Sequence, residues 1–156
     1  MSDLRSELKS KLRGRVVVVG VGNAQHGDDA AGTQIARLLT RMGAANVLDG
    51  GTAPELETWR IRELVPETVL FADAVDFGGA PGDAALLATT DLRQSGHDTH
   101  RAPLRLVMRY LESELGCRCY LIAVQPGDVR PGSPMCEQVR QTVETLAAAI
   151  SEALIR

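Results

Sequence analysis

Four consecutive valines, Val16 to Val19, place the tightest constraint on how this chain can fold. Branching at Cβ costs side-chain freedom in a helix and suits a pleated surface. The apolar run 15–21 is too short for a buried helix and ends at Gly20 and Gly22, so it is read as a core strand. Helices and strands then alternate. Residues 29–42 place Ile35, Leu38, Leu39 and Met42 on one helical face, with Gly43 as a stop. A short strand at 46–49 closes on Gly50 and Gly51, Pro54 opens a helix running to residue 64, and Pro66 forbids its continuation.

Residues 68–74 supply a third apolar strand, and a glycine-rich loop over 76–82 leads to a weaker strand at 83–88. A parallel return needs a dozen residues or more, so this fourth strand is expected to run antiparallel to the others. Leu104, Val107, Met108, Leu111 and Leu115 mark a helix over 101–115, followed by a fifth strand at 118–124 and a closing helix over 134–155. The expected fold is α/β: a five-stranded mixed sheet with strand 4 antiparallel and helices on both faces, a three-layer α/β/α sandwich. Residues 1–14, with Leu4, Leu8 and Leu12 at helical spacing, read as a peripheral amino-terminal extension, and 15–156 as one domain.

Composition then narrows the function. A chain of 156 residues, 44% hydrophobic and 24% charged, suffices for one core without a structural metal or disulfides. The net charge of −3, with Lys and Arg scattered except for Arg5, Lys9, Lys11, Arg13 and Arg15 at the start, gives no strong basic footprint for a nucleic-acid partner. No segment has the layout of a signal peptide or an apolar run of membrane-spanning length, so a cytoplasmic location with no membrane partner is expected. Cys117, Cys119 and Cys136 are an odd set. Cys117 and Cys119 are expected to point the same way from one strand as inert core thiols.

Open α/β sheets bind ligands where strands end and helices begin. Three polar clusters fall at that edge: Gly20 to Asp29, Asp49 to Thr52, and Asp73 to Asp76. The first is not a dinucleotide turn, since Gln25 stands where G-x-G-x-x-G requires its third glycine. It delivers Asp28 and Asp29 to a helix start, where one acid can cap while the other faces the crevice. Asp73 ends an apolar strand, a costly place for a carboxylate without a partner or metal. Asp76 reads as a turn former. His100 precedes a helix whose first turn holds Pro103; His26 and His97 read as ordinary loop histidines. Singly, each of these residues has a structural explanation. Together Asp29, Asp73 and His100 form an oxygen, oxygen, nitrogen set suited to a divalent transition metal, with Zn, Ni, Mn and Fe all possible. The chain contains no G-x-S-x-G, no H-E-x-x-H and no cysteine with a convincing histidine partner.

In order and with similar spacing, Gly20-Val-Gly-Asn23, Gly27-Asp-Asp29, Asp49-Gly-Gly51, Asp73-Ala-Val-Asp76, Thr99-His100, Pro103-Leu104 and Gln125-Pro126 resemble the hydrogenase maturation endopeptidases, over about residues 16–147. The likeness is greatest to the branch serving hydrogenases of the formate-hydrogenlyase type. It implies a strand order of 2-1-3-5-4 and an aspartyl-type endopeptidase that removes the carboxy-terminal extension of a nickel-loaded NiFe hydrogenase large-subunit precursor. Asp29, Asp73 and His100 would contact that nickel, with no resident cofactor. Asp49, Gly50, Gly51 and Gln125 are candidates for holding substrate, because glycine permits close backbone approach; Gly78 and Gly79 are open to the same reading. Two rival readings stand beside this one. A non-catalytic nickel-binding chaperone would use the same three ligands. A peptidyl-tRNA hydrolase shares the Gly-x-Gly-Asn turn but wants a basic face that this chain lacks.

Overall fold

The computed structural model describes residues 2–94 and 102–155. In chain order its elements are α1 (Ser2–Lys11), β1 (Val16–Gly20), α2 (Ala31–Arg41), β2 (Val47–Asp49), α3 (Thr58–Glu63), β3 (Thr68–Ala74), β4 (Ala84–Ala88), α4 (Ala102–Leu115), β5 (Arg118–Val124) and α5 (Glu137–Leu154). The strands form one sheet in the order β2-β1-β3-β5-β4. All neighbours are parallel except β4, which runs antiparallel to β5 with Leu86 opposite Ile122. The short β3–β4 connection admits no other direction, as the loop-length argument required.

The valine run explains the layering. Val16 and Val18 face one apolar cluster, with Leu8, Leu12, Ile35, Leu39, Leu146 and Ile150. Val17 and Val19 face the other, with Ile61, Phe71, Met108, Leu111 and Leu121. Residues alternating across a strand therefore meet α1, α2 and α5 on one side and α3 and α4 on the other. In α5 the buried positions Val139, Val143, Leu146, Ile150 and Ala153 recur at helical spacing, so a single stripe faces the sheet.

Several elements differ from expectation at their ends. The helices expected from residue 29 and from Pro54 begin as tight 3-10 turns, Gly27–Ala30 and Pro54–Glu57, before α2 and α3 proper. The closing helix starts at Glu137, not at residue 134. The stretch after β4 opens with a 3-10 turn at Thr89–Gln94. More important, α1 is not peripheral: Leu4, Leu8 and Leu12 are all buried in the cluster shared with α5. Among the described residues no helix is long and apolar enough to cross a membrane.

Candidate active site

The three polar clusters do arrive at the carboxyl edge of the sheet. After β1, Val21 donates its amide to the Ala72 carbonyl at 2.8 Å, and Gly22 donates to Gly51 at 2.8 Å, tying the turn after β1 to β3 and to the turn after β2. Gly22 has φ +149°, and a Cβ there would stand 2.0 Å from the Asp29 carbonyl oxygen, so only glycine lets the Asp29 turn close over the end of β1. Asp29 is half-buried. Its amide donates to the His26 carbonyl at 3.0 Å, and its Oδ2 accepts the Asn23 amide at 3.1 Å.

Asp73 is fully buried. It lies in β3 opposite Ala123 of β5, and by strand alternation it shares the α3 and α4 side of the sheet with Phe71 and Val75. The turn carrying Asp29 packs against β3. The structure therefore brings these two acids to adjoining strand ends. His100 lies outside the described residues, as does His97. Among the described residues no three of His, Cys, Asp and Glu gather into a metal set.

Asp28 departs from the expectation that one of the paired acids caps the helix. Neither the Gly27–Ala30 turn nor α2 has a side-chain cap. Asp28 is fully buried instead. Its Oδ2 accepts the amides of Gly127 at 2.7 Å and Asp128 at 2.9 Å and the Cys136 thiol at 3.1 Å, while its Oδ1 accepts the Cys136 amide at 2.7 Å. Burial pushes the Asp28 carboxyl up, but these hydrogen bonds outweigh it and hold the group below the ordinary carboxylate value. Nothing in the sequence showed what this acid binds, because its partners lie about a hundred residues away.

The other candidates are engaged inside the protein. Gln125 is buried, with Oε1 accepting the amides of Phe77 at 2.9 Å and Gly79 at 3.0 Å and Nε2 donating to Asp76 Oδ1 at 3.0 Å. It braces the glycine-rich loop with its whole amide. Asp76 also accepts the Gly78 amide at 3.0 Å, the turn-forming role expected of it. Asp49 accepts the Gly51 amide at 3.1 Å and pairs with Arg37 at 3.7 Å. Gly50 donates to the Gly20 carbonyl at 2.7 Å, and Gly51 adopts φ +55°. Asp49, Gly50 and Gly51 thus form a tight turn at the carboxyl edge of the sheet.

The thiols fit their expected inertness. Cys117 and Cys119 are free and buried, their sulfurs 4.0 Å apart on the same side of β5. Burial raises both pKa values, and the nearby Glu112 adds to the effect. Burial likewise raises that of Cys136, beside the Asp28 carboxylate. A thiol held protonated is a poor nucleophile, so cysteine chemistry finds no candidate here.

The hydrogenase maturation protease family model (HycI) matches residues 31–153. The hydrogenase 3 maturation protease of Escherichia coli K12 is 34% identical over 133 residues, covering 83% of this chain and 85% of that protein. Among solved structures, a NiFe hydrogenase maturation protease HycI from Thermococcus kodakarensis KOD1 superposes with a TM-score of 0.89 at 31% identity, covering 96% of this chain and 99% of that one. The solution structure of the endopeptidase HycI from Escherichia coli gives 0.79 at 30% identity, covering 89% and 90%.

Proposed function

This chain belongs to the hydrogenase maturation protease family, and from that premise we propose that it cleaves the carboxy-terminal extension from a nickel-loaded NiFe hydrogenase large-subunit precursor. One observation carries the reading. The turn that carries Asp29 packs against β3, the strand that holds Asp73 near its carboxyl end, and α4, which starts two residues after His100, packs on the sheet face that holds Asp73. Two carboxylate oxygens and an imidazole nitrogen make half of a coordination shell, and the precursor's own ligands fill the rest. In this arrangement nickel belongs to the substrate. The protease recognises the loaded precursor because only then is there a metal for Asp29, Asp73 and His100 to engage.

Cleavage consumes one water. Its oxygen bonds to the scissile carbonyl carbon, the C–N bond breaks, and the amine leaves with a proton; aspartates at the crevice are the acceptors through which that proton passes. The rigid Asp49 to Gly51 turn and the Gln125-braced loop shape the crevice walls against which the extended segment lies. We place the reaction in the cytoplasm, in keeping with the composition.

The test is the intact mass of the precursor before and after incubation with the protein, with nickel present or withheld. Loss of one terminal peptide only with nickel is the expected outcome. An unchanged mass, or equal cleavage of nickel-free precursor, would defeat the proposal.

A further inference from the structure

One fully buried and heavily engaged side chain beside Asp29 is left unused by the proposed chemistry. Asp28 immediately precedes Asp29, is fully buried, and gathers four donors from a loop about a hundred residues downstream. The two segments are tied by their backbones as well. The Asp28 amide donates to the Asp128 carbonyl at 2.7 Å, and the Gly132 amide donates to the Gln25 carbonyl at 2.8 Å. A Cβ on Gly27 would stand 2.2 Å from the Asp128 carbonyl oxygen, so the turn and the loop lie in direct backbone contact. Charge-assisted hydrogen bonds from backbone amides to a carboxylate are the strong kind, and burial strengthens them further.

We propose that Asp28 is a positioning residue: its carboxylate clamps the loop between β5 and α5 onto the Gly27–Ala30 turn and thereby fixes where Asp29 stands in the crevice. The inference rests on the reading of Asp29 as a contact to substrate nickel. Adjacent Cα atoms are about 3.8 Å apart, so a turn loosened at Asp28 moves Asp29 with it. A reacting group displaced by about an ångström costs on the order of 100-fold in rate.

Asp28→Asn keeps the shape but, in either amide orientation, turns an NH2 toward a backbone donor. In this variant kcat for the nickel-loaded precursor is expected to fall about 100-fold while KM stays within about threefold. Amide hydrogen exchange at Gly127, Asp128 and Cys136 should be faster in the variant than in the unaltered protein. A folded Asp28→Asn protein with unchanged kcat, or with its loss carried wholly by KM, would overturn the proposal. Should that variant fail to fold, Cys136→Ala removes only the thiol donor. A severalfold drop in kcat at constant KM, with faster exchange at Gly127 and Asp128, then supports the clamp, and no change in either overturns it. If the unaltered protein leaves the precursor intact, the cleavage reading falls, and the exchange measurement alone decides on the clamp.

Discussion

Asp28 and Asp29 are adjacent acids whose surroundings give them opposite duties. Asp28 is sealed from water and spends its oxygens on Gly127, Asp128 and Cys136, whereas Asp29 accepts the Asn23 amide and stays half-exposed at the crevice. A buried carboxylate saturated by donors has no lone pair to give a metal, while a half-exposed one can be reached by it. On the proposed reading Asp29→Asn removes a ligand charge without changing shape and His100→Ala removes the nitrogen ligand, so each is expected to abolish processing of loaded precursor, as read by intact mass. Normal cleavage by either purified variant would refute the ligand assignment. Because only neutral imidazole ligates a metal, activity should decline as the medium is acidified; a profile flat down to about pH 5 would speak against His100.

At the scale of elements, the join between β1, β3 and α2 governs the crevice geometry. A Cβ on Gly32 would stand 2.0 Å from the Ala72 carbonyl oxygen and 2.3 Å from that of Val21, both backbone atoms that cannot rotate away. The first turn of α2 therefore lies directly on the sheet, which is what brings the Asp29 turn against β3. Gly32→Ala is expected to cost about 1–3 kcal/mol, the usual range for overpacking a tight contact, read from the urea unfolding midpoint. A shift under about 0.5 kcal/mol would show that the helix can lift away freely. Much at this scale was legible beforehand. Gly43 and Pro66 mark where α2 and α3 must stop, the valine run announces β1, and a short connection dictates an antiparallel β4. The 3-10 starts of α2 and α3 were not legible, since tightening a first turn depends on what the turn packs against.

Across the whole molecule, α1 changes the account of the core. Leu8 is 0% exposed and Leu12 is 1% exposed, against the same cluster as Val143, Leu146 and Ile150. Lys9 and Arg5 on its outer side pair with Glu152 of α5; such exposed pairs contribute little, so the leucines hold the helix. Leu8→Ala is expected to destabilise the protein by about 2–5 kcal/mol in urea unfolding. It should leave kcat for the precursor unchanged, because α1 lies against α5 and β4 and contributes no residue to the crevice. A cost below about 0.5 kcal/mol would mean that the segment is peripheral after all.

Sequence alone determined the class of fold, the antiparallel β4 and the edge at which chemistry can occur, because strand length, branching, glycine and proline act locally and connection length bounds topology. It also offered Asp29, Asp73 and His100 as candidates, since one acid stands at a glycine turn, another ends an apolar strand and the histidine precedes a helix. Only the tertiary structure decided the burial of Asp28 beside a half-exposed Asp29, the bracing role of Gln125 and the core membership of α1. In each case the deciding partner lies far along the chain: Cys136 for Asp28, Phe77 for Gln125, Ile150 for Leu8. Hydrogen bonds and apolar contacts between distant segments leave no periodicity in one sequence. They exist only once the sheet has set the segments side by side.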